Sequence, residues 1–216
     1  MSGETEHKTE PAEAQPHRSG FVAIVGRPNV GKSTLLNQLL GEKIAIVTPK
    51  PQTTRNRIRG IKTLANAQIV FLDTPGIHRA HSLMNRRMVE TALNTLDEVD
   101  CVLWLVDASA GIGGEDEDIA RTLSRSEAAT LIVLNKIDAV GKGNLLPLMK
   151  RVAEILPDRE IVPVSALKGE GLPLLLDLII KRLPEGPRYY PEEELTDQTE
   201  RFLAAEIIRE KVFLLT

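Results

Sequence analysis

From Phe21 onward, short unbroken apolar runs recur along the chain: "FVAIV" (21–25), "QIVFLD" (68–73), "CVLWLVD" (101–107), "TLIVLN" (130–135) and "EIVPVS" (160–165). Runs of strand length that do not alternate with polar residues predict strands buried on both faces. Between them, apolar positions recurring at three and four predict helices over 32–40, 83–96, 117–125, 145–155 and 172–183. Strands alternating with helices imply a mostly parallel sheet covered on both sides. One stretch differs. "RIRGIKTLANAQIVFLD" reads as two strands joined by a polar turn around 65–67, which predicts one antiparallel edge strand. The expectation is an α/β fold with about six strands.

The two ends of the chain follow other rules. Residues 1–19 are polar, charged and proline-containing, and predict a disordered tail in which His7 and His17 are solvated. A domain is expected over 20–184. After it, "PEGPRYYPEEE" reads as a linker or surface-wrapping segment. Asp197 and Glu200 resemble a capping box opening a last helix, with an apolar stripe at Ala205, Ile208, Val212 and Leu215. That stripe still runs at Thr216 without a stop signal, the pattern expected of a chain cut from a longer protein.

Composition narrows the field modestly. With 216 residues and 42% hydrophobic content, the chain can build one domain with a two-sided core. Aromatics are only 3%, so Leu, Ile, Val and Ala must fill that core. The net charge of −3 argues against binding nucleic acid through overall charge, without excluding a local basic patch. The single cysteine, Cys101, lies in an apolar run and reads as a buried structural thiol. The first twenty residues carry no apolar signal region, and no apolar run approaches the length that spans a bilayer. A cytoplasmic protein is expected.

Chemistry concentrates at the ends of the apolar runs. "GRPNVGKS" matches G-x-x-x-x-G-K-[ST] after a strand and before a helix, the context that makes this pattern a phosphate loop. The loop of Gly26, Arg27, Pro28, Asn29, Val30 and Gly31 would curl around phosphate oxygens, its glycines letting the backbone N–H groups (all but that of proline, which has none) approach without a side-chain clash. Lys32 would place its charge on the β- and γ-phosphates. Ser33 would give its hydroxyl to Mg²⁺, and Thr34 would follow in a helix aimed at the anion. Asp73, before Thr-Pro-Gly, supplies a second group for Mg²⁺, and the Gly76 N–H is placed to meet the γ-phosphate.

The base is read from "NKID" (135–138). A carboxylate at Asp138 can accept from guanine N1–H and the 2-amino group together, whereas adenine offers neither donor. Asn135 can bond the base or pin neighbouring loops, and the Lys136 stem can cover the ring. "SAL" (Ser165, Ala166, Leu167) follows the next strand, where the Ala166 N–H could donate to guanine O6. GTP, rather than ATP, is the expected nucleotide.

With these motifs in order, the chain resembles the translation-factor-class (TRAFAC) P-loop GTPases, and within them the Era family. The resemblance rests on "GRPNVGKSTLLNQLLGEK", "PQTTRNRIRGI", "DTPGIH", "NKID", "SAL" and the stretch from "LPEGPRYYPEEE" to the end, covering 21–216. It implies a P-loop NTPase fold of the Ras-like G-domain type and a GTP-driven switch using GTP/GDP and Mg²⁺. Its implied partners are the small ribosomal subunit and 16S rRNA, the RNA held by a C-terminal KH domain. The chain ends where that domain would begin. Its only G-x-x-G spacing, "GIGG" (111–114), leads into "EDED" rather than basic residues, so RNA binding by this chain is expected to be weak. A monomer is expected, with peripheral association at the inner face of the cell membrane left open.

The resemblance also places a switch I threonine at Thr54, with Thr53 as the alternative, closing on Mg²⁺ and the γ-phosphate. Arg55, Arg57 and Arg59 read as a solvated face rather than an arginine finger, and His78 and His81 as solvated. Ile77 stands where many regulatory GTPases carry a water-orienting glutamine. Asn29 then becomes a candidate for help, because in related GTPases an asparagine there coordinates K⁺. Lys32, Thr54, Gly76 and Asn29 form the expected catalytic set. Two rival readings are a scaffold that binds nucleotide and barely hydrolyses it, and a relative acting in ribosome biogenesis or tRNA modification.

Overall fold

The computed structural model describes residues 16–47, 58–73 and 99–215. Its centre is a six-stranded sheet of β1 (Arg18–Val25), β2 (Ile58–Thr63), β3 (Ala67–Asp73), β4 (Cys101–Asp107), β5 (Ala129–Asn135) and β6 (Glu160–Pro163), in the order β2-β3-β1-β4-β5-β6. All pairs are parallel except β2 with β3, where Ile61 faces Val70 across an antiparallel ladder at the edge. The expected hairpin is therefore present, closed by the Leu64 N–H donating to the Ala67 carbonyl.

The continuous apolar runs are explained by burial on both faces. Every residue of β4 is buried, and Val22 to Val25 are fully so. Alternate residues feed two cores. On one face Ile24, Leu103, Leu105 and Val133 pack with α1 (Lys32–Leu40) and the helix Leu172–Ile180. On the other, Trp104, Val106, Ile132 and Leu134 pack with α2 (Gly114–Leu123) and α3 (Lys142–Ile155). We number the helix Leu172–Ile180 as α4. The helix expected over 83–96 lies outside the described residues.

Boundaries moved where side-chain chemistry intervened. α2 starts three residues before the expected 117, because the Asp116 carboxylate accepts from the Gly113 N–H and holds the first turn. α4 ends at Ile180, and its expected extension to 183 is a tightened turn in which Arg182 and Leu183 donate to the carbonyls of Ile179 and Ile180. The tail boundary also moves. Arg18 and Ser19 belong to β1, and the His17 ring bonds the Gly186 carbonyl at 3.0 Å rather than facing solvent.

The segment after α4 wraps the sheet edge, as its composition suggested. Gln68, fully buried, accepts from the Tyr189 and Tyr190 N–H groups and donates to the Tyr190 carbonyl and Thr63 hydroxyl. Tyr189 stacks on Phe21 at 5.4 Å. The final helix α5 (Glu200–Leu215) begins on a different cap from the one expected. Thr199 accepts from the Phe202 N–H, while Asp197 pairs with Arg59. The stripe of Ala205, Ile208, Val212 and Leu215 faces outward, with Ile208 64% and Leu215 85% exposed. The inward face instead carries Phe202, Leu203 and two buried acids, Glu206 and Glu210.

Glu210 ties α5 to the loop after α1. One oxygen accepts from the Val47 N–H at 3.1 Å and the other from the Lys43 ammonium at 2.6 Å. Burial alone would raise its pKa, but these two donors more than offset that and hold it below the ordinary carboxylate range. A carboxyl with a lowered folded-state pKa adds stability that is fully present above its unfolded value. It is lost as pH falls through the folded value. Glu210→Ala should therefore cost about 2 kcal/mol at pH 7. That cost should shrink below roughly pH 4, where the unfolded carboxyl is itself protonated. Hydrogen exchange at the Val47 amide checks this; unchanged protection at neutral pH would refute the anchoring role.

Candidate functional site

After β3 the chain crosses over β1 to place β4 on its far side, so the strand order reverses at β1. In open α/β sheets a ligand crevice forms at such a point, beyond the carboxyl ends of the strands. The loops leaving β1, β4, β5 and β6 meet there.

The first loop is 26–33. Gly26 passes so close to β4 that a Cβ would strike the Leu105 carbonyl, and Gly31, at φ +100°, caps α1 with no side chain of its own. A Cβ on Gly31 would run into the Asn135 amide. Asn29 holds a left-handed backbone at φ +62°. Lys32 is 7% exposed, and its ammonium folds back to the Gly26 and Arg27 carbonyls at 3.0 and 2.9 Å. Arg27 turns away, pairing with buried Asp116 at 3.2 Å and donating to the Gly111 carbonyl. Burial raises the Asp116 pKa, against the Gly113 N–H and the Arg27 charge. "GIGG" thus leads into the acidic start of α2 and braces this loop.

The second group of contacts centres on Asn135, 2% exposed at the end of β5. Its amide nitrogen donates to the Val30 carbonyl at 2.8 Å, and its amide oxygen accepts from the Ala166 N–H at 2.9 Å. Of the two roles open to it from sequence, pinning neighbouring loops is the one seen. The Ala166 N–H is engaged in that contact, so a base oxygen would have to share it. Asp138 is exposed in a single 3₁₀ turn, and one carboxylate oxygen accepts from the Ser165 hydroxyl at 2.6 Å. Leu167 stands at the rim, 72% exposed.

Lys136, at φ +65°, donates to the Asn29 carbonyl at 2.8 Å and to Asp107 at 2.6 Å. Asp107 was not singled out from sequence. Its signal was its position as the last residue of "CVLWLVD", at the carboxyl end of a parallel strand where ligands gather.

Ser33 and Thr34 lie half-buried in the first turn of α1, beside Lys32. Asp73 ends β3 with its backbone in register with Ile24, two residues before Gly26. Thr53, Thr54, Arg55, Arg57, Gly76, Ile77, His78 and His81 lie outside the described residues. Arg59 forms a partly exposed ion pair with Asp197 at 2.9 Å, as expected of a surface residue. The Cys101 thiol is buried, and that burial pushes its pKa up to about 12, which leaves it unreactive.

Residues 21–136 match the family described as 50S ribosome-binding GTPase. The chain is 56% identical over 199 residues to the GTPase Era of Syntrophus aciditrophicus, covering 92% of this chain and 65% of that protein. Among solved structures it is similar to Era in complex with MgGDPNP and nucleotides 1506–1542 of 16S ribosomal RNA. That match has 47% identity and a TM-score of 0.88, over 93% of this chain and 68% of the other. A variant of Aquifex aeolicus Era bound to GDP·AlF4⁻ gives the same identity and TM-score over 92% and 68%. The chain spans about two thirds of the length of the relatives it matches.

Proposed function

The chain belongs to the Era family of GTPases, and we propose that it binds GTP and GDP and hydrolyses GTP to GDP and phosphate as a molecular switch. The observation that carries this is the Asn135 side chain, which joins the phosphate loop at Val30 to the "SAL" loop at Ala166. The guanine-reading and phosphate-binding parts are thereby built as one rigid unit.

The residues present fit a nucleotide polyphosphate. Gly31 opens α1 with no side chain and lets the loop pass against the Asn135 amide, and Lys32 is held beside the loop by carbonyls it can exchange for phosphate oxygens. Ser33 and Asp73 are the residues that would hold Mg²⁺, joined by Thr54, with Thr53 as the alternative. When bound, that ion neutralises charge on the β- and γ-phosphates. Gly76 offers its N–H to the γ-phosphate. Asp138 accepts from the guanine edge through the carboxylate oxygen that Ser165 does not occupy, and Lys136 covers the ring. Asn29 is the residue that would hold K⁺, whose charge beside the phosphates would help make up for the water-orienting group that Ile77 does not provide.

At the level of the cell, the Era-type protein acts in small ribosomal subunit assembly and contacts 16S rRNA. The bound RNA in the similar Era structure supports that reading. We place the protein in the cytoplasm as a monomer. No helix among the described residues is long and apolar enough to cross a membrane.

Phosphate release by purified protein, measured with GTP and ATP in K⁺ and in Na⁺ buffers, tests the enzymatic reading. Release from GTP alone, faster in K⁺, is expected. Equal use of ATP sinks the base assignment, equal rates in K⁺ and Na⁺ sink the role of Asn29, and tight binding without release favours a scaffold.

A further inference from the structure

Asp107 has the geometry of a strut. It closes β4 and is only 7% exposed. Its two carboxylate oxygens have separate duties. One accepts from the Ser109 N–H, the Ser109 hydroxyl and the Ala110 N–H, at 2.9, 2.6 and 3.3 Å, closing a tight turn after the strand. The other accepts the Lys136 ammonium at 2.6 Å, its one partner among the described residues. That ammonium also donates to the Asn29 carbonyl. A chain of contacts thus runs from β4 through the base loop to the phosphate loop, ending at a residue held in a left-handed conformation.

We infer that Asp107 is a positioning residue for nucleotide binding, anchoring the Lys136 ammonium so that the lysine stem lies over the purine ring and the Asn29 turn keeps its shape. This rests on the guanine-nucleotide reading above. The physical grounds are specific. A lysine stem is flexible, and covering a ring face requires its head to be fixed; a carbonyl alone is a weak partner for a full charge. Burial by itself raises the Asp107 pKa, but the bonds from Lys136 and Ser109 outweigh it and keep the carboxyl ionised at neutral pH. The anchor is thus a charge-assisted bond from a half-buried lysine to a nearly buried carboxylate, the kind that holds geometry well.

Because the oxygens are divided in function, one substitution separates the two roles. In Asp107→Asn the amide oxygen can keep the three turn bonds, and the amide nitrogen then faces the ammonium, donor against donor. If Asp107 merely shapes the turn, Asp107→Asn should resemble the native chain and Ser109→Ala should be the worse variant. If it anchors Lys136, GDP should dissociate roughly 10- to 100-fold faster in Asp107→Asn, while Ser109→Ala stays close to native. The strut acts on the ring face and not on its edge. GDP and IDP, which lacks the 2-amino group, should therefore weaken by the same factor.

The experiment is a double-mutant cycle on the full chain, read by off-rates of fluorescent GDP and IDP with thermal melts alongside. Asp107→Asn combined with Lys136→Met should be no weaker than the worse single variant; fully additive losses overturn the inference. Should Asp107→Asn fail to melt cooperatively, Lys136→Met and Lys136→Arg decide the question. Methionine keeps the apolar stem and loses the anchor, so it should bind weakly, whereas arginine keeps the charge and should restore much of the affinity. Native affinity in Lys136→Met, or equal weakness in both, overturns the inference. If the native chain itself fails to bind GDP, the guanine reading falls instead.

Discussion

Asn135→Ala is expected to remove measurable guanine-nucleotide binding, a loss of at least about 1000-fold, and to lower the melting temperature as well. The amide holds two loops at once, and alanine releases both. The Val30 carbonyl and the Ala166 N–H are left in a buried site without their partner, each at a cost of about 1–3 kcal/mol. For a chain of this size, that sum corresponds to a fall of roughly 4–24 °C. Binding suffers more than stability, because the phosphate loop and the "SAL" loop must both be reordered before a nucleotide can touch them together. Asn135→Asp tests the donor half of the pin. It can still accept from Ala166, but it presents an anionic oxygen to the Val30 carbonyl in a buried site, so it should bind as poorly and melt no higher than Asn135→Ala. Calorimetric titration with GDP, beside a thermal melt, checks both variants. GDP affinity within about tenfold of native in Asn135→Ala would show that the pin is dispensable.

What could be read from sequence follows from which forces are local. The strands were legible because a parallel sheet covered on both sides demands unbroken apolar runs, and "CVLWLVD" became β4 residue for residue. The phosphate loop was legible because its glycines are forced by close approaches, at Gly26 to Leu105 and at Gly31 to Asn135. Strand order was not, since periodicity states that a run is buried and not which neighbour buries it. α5 failed in an instructive way. Its apolar stripe suggested the packed face, yet Glu206 and Glu210 point inward while Ile208 and Leu215 point out. A carboxylate is placed inward because the Val47 N–H and Lys43 give it partners more than 160 positions away in sequence, which no local pattern reveals. Gln68 and Asp107 were overlooked for the same reason. Each is a polar residue with a partner on another segment, Tyr189 and Tyr190 for Gln68 and Lys136 for Asp107, and each looked like the ordinary edge of a strand. His17 was misjudged because its partner, Gly186, lies at the other end of the domain.

Asp138→Asn should reverse base preference rather than merely weaken binding, and the reason lies in Ser165. The Ser165 hydroxyl donates to one Asp138 oxygen while accepting from the Lys168 N–H, so it continues to seek an acceptor at position 138. An asparagine satisfies it by turning its amide oxygen toward Ser165. The amide nitrogen is then directed at the base. Guanine offers two donors there, N1–H and the 2-amino group, and would meet another donor. Xanthine carries a carbonyl at that position and accepts from the amide. GDP affinity should fall about 1000-fold, the scale of losing paired hydrogen bonds in a site built for them, while XDP affinity rises above it. Ser165→Ala in the same background removes the constraint on amide orientation and should soften the switch, letting the amide flip and recover part of the GDP affinity. Competition of GDP and XDP for each variant measures this directly. Equal preference for GDP in Asp138→Asn and in the native chain would mean that the guanine edge is read elsewhere.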